Sequence, residues 1–160
     1  MSAADVLALL SKRGATLAVA ESLTGGLLTD AFVQVPGASA VLRGGIVAYA
    51  TPLKAALLGV DAGLLAAEGP VHPEVARQMA SGVRRALALE GADASVGVST
   101  TGVAGPEGQG GRAPGTVFVG VAVGDRVIAV EGALPGDRAE VRAATVDLAL
   151  RTLLEALQAE

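Results

Sequence analysis

Strand-like and helix-like segments alternate along almost the whole chain, and this alternation restricts the possible folds more than any other feature. A helix-periodic opening segment ends at Gly14, and the β-prone run from Thr16 to Ala20 follows it. The glycine turn Glu21–Gly26 then leads into apolar positions with helical spacing. Strands that alternate with helices indicate an α/β fold with parallel strand pairs.

The later segments predict four more strands and three more helices. The strands cover 45–50, 94–100, 117–123 and 127–134, and the helices cover 53–58, 73–87 and a long segment from about 137. Only Gly124, Asp125 and Arg126 separate the last two strands, so these strands must form an antiparallel hairpin. The predicted sheet is therefore mixed and has about five strands.

The composition favours a single domain over residues 1–160 and argues against a nucleic-acid partner. Hydrophobic residues make up 51% of the chain and aromatic residues only 2%, so Ala, Val and Leu must form the core. Few aromatic side chains are available to stack on bases, and the net charge of -4 disfavours a phosphate backbone. We therefore expect a small-molecule ligand instead.

Cysteine and histidine, which carry much of the chemistry of other enzymes, are almost absent. The chain has no cysteine, which excludes a disulfide, a thiolate zinc site and a thiol nucleophile. The single histidine, His72, excludes a multi-histidine metal cage, so we expect no metal and no cofactor. The first residues resemble no targeting segment and no uncharged stretch is long enough for a membrane span, so we expect a cytoplasmic protein.

Ser22 is the first candidate functional residue, because it lies at a strand-to-helix junction. Such a junction presents side chains at the carboxyl edge of the sheet, where open α/β sheets bind ligands. The backbone N–H groups of Thr24, Gly25 and Gly26 would face the same point and could hold a phosphate or an oxyanion. Alternatively, Ser22 or Thr24 only caps the helix, which is the commoner role of these residue types.

Lys54 is the second candidate, and it follows the predicted strand that contains Tyr49, the only tyrosine. A serine nucleophile needs a base, and a desolvated neutral lysine can act as one where histidine is scarce. Ser-Lys pairs are known variants of the catalytic triad. The alternative is a solvated lysine on a surface helix, and residue spacing alone does not decide between the two.

The segment from Thr101 to Gly115 is rich in glycine and is predicted to be a long loop. Thr101, Gly102 and Gly105 at its start could present hydroxyl and N–H groups to an anion, although the segment matches neither a Walker loop nor a dinucleotide fingerprint. A flexible surface loop is the alternative. Arg138 and Arg142 share one face at the start of the last helix, where an anionic ligand or nearby acidic residues would balance their charge.

Five separated segments together resemble the CinA C-terminal-domain family. The segments are Ala20–Gly26, Gly44–Tyr49 with Lys54, Thr101–Pro106, Gly115–Val117, and Gly136–Arg138 with Val141 and Arg142. The resemblance covers nearly the whole chain and implies the stand-alone form of the family. It further implies a three-layer α/β/α sandwich with a mixed, mostly parallel sheet, and a nicotinamide-mononucleotide deamidase activity.

The resemblance also implies roles for individual residues. The family's catalytic serine and lysine fall on Ser22 and Lys54, which reverses the preference for the capping and surface alternatives. The chain departs from the family's pattern at His72, where a serine is usual, and at Arg112–Gly115, where the family has Lys-Pro-Val-Gly. Because of the second departure, the resemblance implies no substrate contacts within residues 107–114.

We therefore expect an amidohydrolase in which Ser22 attacks the carboxamide of nicotinamide mononucleotide and Lys54 accepts the serine proton. Tyr49 would orient Lys54 or donate to the substrate, and N–H groups near Gly25 or Gly102 would hold the oxyanion. Arg138 or Arg142 would bind the phosphate. The remaining substrate-binding candidates are Thr24, Gly26, Thr101, Gly105, Gly115 and Thr116.

A second hypothesis is a non-catalytic nucleotide-binding or regulatory module of the same fold. Such a module would keep the cavity but would need neither a nucleophile nor a base. For partners, we expect no nucleic acid and no membrane, and a homodimer or higher homo-oligomer stays open.

Overall fold

A computed structural model of the chain, described over residues 1–159, consists of an open five-stranded sheet with helices on both faces. The helices are α1 (Ala3–Lys12), α2 (Leu27–Val33), α3 (Thr51–Leu58), α4 (Ala62–Glu68), α5 (Pro73–Ala86) and α6 (Arg138–Gln158). The strands are β1 (Leu17–Glu21), β2 (Leu42–Val47), β3 (Val96–Gly102), β4 (Thr116–Val123) and β5 (Arg126–Ala133), and a short 3-10 helix covers Ala38–Ala40.

The sheet has the strand order β2-β1-β3-β4-β5. Strand β1 pairs in parallel with β2 and β3, whereas β4 runs antiparallel to both β3 and β5. Four of the five strands therefore point in the same direction, which confirms the mixed, mostly parallel sheet and the hairpin. The carboxyl ends of β1 and β3 lie side by side, so the segments after Glu21 and Gly102 meet at one edge of the sheet.

The largest differences from the sequence predictions are at β2 and α4, while β3 is shifted by two residues from the predicted 94–100 to Val96–Gly102. Strand β2 was expected at 45–50 but covers Leu42–Val47, because the chain leaves the sheet after Val47 and turns into α3. Helix α4 was not predicted, since it has only seven residues and contains Gly63. The side chain of Asp61 caps this helix by accepting a hydrogen bond from the backbone N–H of Leu64 at 2.8 Å.

The two faces of the sheet differ in side-chain size. One face carries large apolar residues, and it packs against α1, α2 and α6: Leu17, Val19, Val96, Val98, Val119, Val121 and Val123. The other face carries small residues, which lie in two rows across the strands: Ala18, Gly97 and Ala122, then Ala20, Ser99 and Gly120. Helix α5 packs on this small face through Val75, Met79 and Val83. Helices on both faces confirm the three-layer sandwich.

Glycine is required where α5 meets the small face. A Cβ atom on Gly97 would overlap the backbone carbonyl of Ala80, and one on Gly120 would overlap that of Ala76. Within α5, a Cβ atom on Gly82 would overlap the carbonyl of Leu58 at the end of α3. The helices therefore lie in direct contact with backbone atoms, which fixes α3 and α5 relative to the carboxyl edge of the sheet.

Across residues 1–159, none of the helices has the length and apolar character of a membrane span.

We predict that Gly97→Ala lowers the free energy of unfolding by about 1–3 kcal/mol, because the added methyl would overlap the backbone carbonyl of Ala80, which cannot move aside as a flexible side chain can. Gly63→Ala in α4 is the matched control, since its Cβ would meet only the Asp61 carboxylate oxygen, at 3.0 Å. We expect the control to change stability by less than about 1 kcal/mol. Denaturant unfolding measures the stability of both variants. A Gly97→Ala variant as stable as the wild type would contradict the close packing of α5 on the sheet.

Candidate active site

Ser22 lies at the carboxyl end of β1, immediately outside the sheet. Its backbone N–H donates to the carbonyl of Thr100 at 3.1 Å, and its own carbonyl accepts from the N–H of Gly25 at 3.1 Å. The tight turn that follows requires left-handed backbone at Gly25 and Gly26, with φ values of 57° and 108°. The residue is held by backbone contacts on both sides, so its hydroxyl remains available for other partners.

The start of α2 is capped by Glu21 rather than by a hydroxyl. The carboxylate of Glu21 is fully buried and accepts hydrogen bonds from the backbone N–H groups of Leu28 at 2.8 Å and Thr29 at 3.0 Å. It also accepts from the Thr29 hydroxyl at 2.7 Å. The alternative in which Ser22 or Thr24 caps the helix is therefore wrong. The backbone N–H groups of Leu27, Leu28 and Thr29 at the start of α2 thus all donate to oxygen atoms of the protein.

Thr24 makes a different contact, beneath the turn. Its hydroxyl lies 2.8 Å from the hydroxyl of Thr100, and both residues are fully buried. The Thr100 hydroxyl also accepts from the backbone N–H of Ser22 at 3.4 Å. This pair of hydroxyls ties the turn after β1 to the neighbouring strand β3.

Lys54 is buried, although it lies on α3 near the surface. Only 1% of the residue is exposed, so the alternative of a solvated surface lysine is wrong. The Nζ atom lies 2.9 Å from the Ser22 hydroxyl, 2.8 Å from the carbonyl of Ala48 and 3.3 Å from the carbonyl of Tyr49. The amine thus has three oxygen neighbours, and one of them is the serine hydroxyl.

Burial lowers the pKa of the Lys54 amine from 10.5 to about 8. The neutral form of the amine is therefore accessible near neutral pH. A neutral amine can donate its two hydrogens to the carbonyls of Ala48 and Tyr49 and use its lone pair to accept the hydroxyl proton of Ser22. This geometry suits a serine nucleophile with a lysine base.

The pair opens into a cavity of about 300 Å³. Its walls come from the turn after β1, the β2–α3 connection, the α4–α5 connection, residues 101–109 and the first residue of α6. Seven residues predicted for the site line it: Ser22, Tyr49, Lys54, Thr101, Gly102, Gly105 and Arg138. The cavity therefore brings together segments that are more than a hundred residues apart in the chain.

The structure places six other predicted residues outside this cavity lining: Thr24, Gly25, Gly26, Gly115, Thr116 and Arg142. Thr116 and Gly115 hold the base of the glycine-rich loop instead, through backbone hydrogen bonds with Val103 at 2.9 and 2.8 Å. The Arg142 guanidinium donates to the carbonyls of Leu23 and Thr24 at 2.8 and 3.2 Å, and so fastens the Ser22 turn to α6.

Tyr49 and Arg138 meet at the rim of the cavity. The Arg138 guanidinium donates to the carbonyl of Gly105 at 2.7 Å and to the phenol oxygen of Tyr49 at 3.2 Å. The tyrosine ring is more than half exposed, and its backbone carbonyl rather than its phenol contacts Lys54. Tyr49 therefore contacts the lysine through its main chain and the arginine through its side chain.

Several lining residues were not identified from the sequence. Pro70 and Val71 belong to the α4–α5 connection, which carries no motif, and the Pro70 carbonyl accepts from the Thr101 hydroxyl at 2.7 Å. Glu107 and Gln109 extend the lining into the glycine-rich loop. His72 lines no part of the cavity. Its Nδ1 atom caps α5 by accepting from the N–H of Glu74 at 3.1 Å, a role that a serine can also fill.

Within residues 1–159, no group of three or more histidine, aspartate and glutamate side chains is arranged to hold a metal ion.

Comparison with known proteins identifies close relatives. A CinA-like protein from Frankia casuarinae is 53% identical over 145 residues, which make up 91% of this chain and 32% of the relative. A CinA-like protein from Gemmatimonas aurantiaca is 43% identical over 159 residues, which make up 99% of this chain and 36% of the relative. The chain thus spans about a third of the length of these curated relatives.

Solved structures agree with the fold over almost the whole chain. A CinA superfamily protein from Klebsiella pneumoniae superposes with a TM-score of 0.91 and 30% identity, covering 99% of this chain and 96% of the other. The competence/damage inducible protein CihA from Agrobacterium tumefaciens gives a TM-score of 0.88 and 33% identity, with coverages of 98% and 93%. In addition, the family model of the CinA C-terminal domain matches residues 1–157. The chain belongs to the CinA C-terminal domain family.

Proposed function

We propose that the protein is an amidohydrolase that converts nicotinamide mononucleotide and water to nicotinate mononucleotide and ammonia. The observation that carries the proposal is the Ser22–Lys54 pair, with Oγ and Nζ 2.9 Å apart and the lysine pKa lowered to about 8. The family resemblance supplies the substrate, and the cavity of about 300 Å³ is at the lower end of the range for small-molecule sites.

In the first half of the reaction, the Ser22 oxygen attacks the carboxamide carbon while neutral Lys54 takes the hydroxyl proton. The lysine ammonium then donates this proton to the departing nitrogen, so that the C–N bond breaks and ammonia leaves. The carbonyls of Ala48 and Tyr49 hold the amine beside Ser22 in both protonation states. The product of this half is an ester between the Ser22 oxygen and the nicotinoyl group.

In the second half, water attacks the ester carbon and Lys54 again accepts a proton. The serine oxygen leaves and recovers its proton from the lysine, and nicotinate mononucleotide is released. The candidates for the oxyanion site are the backbone N–H groups of Gly102, Ala104 and Gly105 in the cavity lining, since Gly25 lies outside the cavity and the N–H of Val103 already donates to the Thr116 carbonyl.

Arg138 is the candidate for the substrate phosphate. It lines the cavity and is exposed, and the two hydrogen bonds it makes leave further guanidinium N–H groups free to bind an anion. Arg142 does not line the cavity and its guanidinium holds two backbone carbonyls. A non-catalytic nucleotide-binding module is less well supported, because binding alone gives no reason to bury an amine against a serine hydroxyl.

We predict that Ser22→Ala lowers kcat for ammonia release by at least about a thousandfold, because it removes the attacking oxygen and almost no volume. Nucleotide binding and thermal stability should stay close to wild type. Ser39→Ala, which removes an exposed hydroxyl from the 3-10 helix, is the matched control and should retain full activity. Turnover by Ser22→Ala within a few-fold of wild type would exclude Ser22 as the nucleophile.

We predict that kcat/KM rises with pH through an inflection near 8. Below the pKa of about 8 the Lys54 amine is protonated and cannot accept the serine proton, and above this pKa it is neutral. The loss should approach tenfold per pH unit well below the inflection. Steady-state ammonia release between pH 6.5 and 9.5 measures the profile. Lys54→Arg keeps a charged group and should be inactive throughout, whereas a flat wild-type profile would contradict the lysine base.

We predict that Arg138→Ala lowers kcat/KM for nicotinamide mononucleotide at least about tenfold more than for the phosphate-free riboside, because a charged hydrogen bond to the phosphate is lost. Arg142→Ala should affect both substrates equally and should also lower the melting temperature, since it frees the Ser22 turn from α6. If Arg142→Ala instead shows the nucleotide-selective loss, the phosphate assignment is reversed.

A further inference from the structure

The cavity has two fixed charges of opposite sign. Of its lining residues, only Lys54, Glu107 and Arg138 carry groups that are commonly charged near neutral pH, and Lys54 must be neutral to act as a base. Glu107 and Arg138 are both exposed, and within residues 1–159 they form no ion pair with each other. Each charge is therefore free to interact with a ligand.

Glu107 lies on a segment that has its own local structure. Shortly after it, the backbone groups of Gln109 and Arg112 exchange two hydrogen bonds, at 3.0 and 2.9 Å, which form a small turn. The Arg112 guanidinium also lies 5.5 Å from the centre of the Phe118 ring, on β4. At the other end, Gly105 is held by Arg138. The carboxylate is thus carried by a segment that is anchored on both sides.

We propose that Glu107 is a specificity-determining residue that recognises a positively charged ring in the substrate. The inference rests on the proposed function, because nicotinamide mononucleotide carries one cationic group, its quaternised pyridine ring, and one anionic group, its phosphate. Glu107 and Arg138 match these two charges in sign. The site would accordingly select a zwitterionic pyridinium carboxamide rather than any amide that bears a phosphate.

The size of the cavity makes the interaction effective. A sphere of about 300 Å³ has a diameter of about 8 Å, which is close to the Debye length at physiological ionic strength. A charge on any wall is therefore only partly screened from a ligand in the cavity. Glu107 attracts the ring and repels the phosphate, whereas Arg138 does the opposite, so that the pair also favours one orientation of the ligand.

The test compares two ligands that differ in ring charge and hardly in size: nicotinamide mononucleotide and its reduced 1,4-dihydro form, whose ring is neutral. Binding is measured by calorimetry in the Ser22→Ala background, so that neither ligand is consumed. We expect Glu107→Gln to raise the Kd of the cationic form about three- to fivefold and to change the Kd of the reduced form less than twofold. Glu107→Lys should enlarge the difference.

Asp125→Asn is the matched control, because it removes one negative charge from the exposed turn between β4 and β5. Val123 pairs with Val96 at the start of β3, so this turn lies at the edge of the sheet opposite to the cavity. The control should leave both Kd values unchanged, which separates a local effect of Glu107 from an effect of net charge.

Equal changes for the two ligands in Glu107→Gln, or no change for either, would overturn the proposal. These outcomes are distinct from a failure of the proposed function, which would appear as the absence of ammonia release from nicotinamide mononucleotide by the wild-type protein. A charge-selective loss of binding without ammonia release would support the recognition by Glu107 and contradict the amidohydrolase.

Discussion

The structure around the site depends on the burial of the Lys54 amine. A charged amine without partners is costly to remove from water, and here three oxygen atoms surround it. Two of these oxygens are the carbonyls of Ala48 and Tyr49, which can face the amine only because β2 ends at Val47 and the chain turns at once into α3. The end of β2 at Val47 therefore also supplies two of the three oxygen atoms that surround the Lys54 amine.

Side chains other than that of Ser22 hold the turn in which Ser22 lies. The buried carboxylate of Glu21 holds the first N–H groups of α2, where a negative charge also suits the helix dipole. On the other side of the turn, the guanidinium of Arg142 holds the carbonyls of Leu23 and Thr24. Because these side chains satisfy the turn, the Ser22 hydroxyl is not needed as a cap and remains beside the amine.

The sequence predicts most of the fold because apolar residues recur at regular spacing on the faces of the helices and strands that pack together. Helix α5 could be predicted from apolar residues every four positions, whereas β2 was misplaced because the apolar run continues past Val47, where the chain leaves the sheet. The site was less predictable: the scarcity of histidine suggested Lys54 as a base for Ser22, but the two residues are 32 positions apart, and only the resemblance favoured this pair over the capping and surface alternatives. Arg138 and Arg142 share one helix face, so their spacing does not show which of them reaches the cavity. In the structure Arg138 contacts the carbonyl of Gly105 in the cavity lining, whereas Arg142 contacts the Ser22 turn.

The proposed reaction changes the charge of Lys54 but not the charges of Glu107 and Arg138. Burial lowers the pKa of the Lys54 amine to about 8, and the reduced access of water strengthens its interaction with the serine hydroxyl. Glu107 and Arg138 are instead exposed at the cavity. A fixed charge beside Lys54 would shift its pKa away from 8, a carboxylate upwards and a guanidinium downwards. Burial alone lowers the pKa of Lys54, so neither Glu107 nor Arg138 shifts it from its place at the cavity, and both charges stay available for a charged ligand.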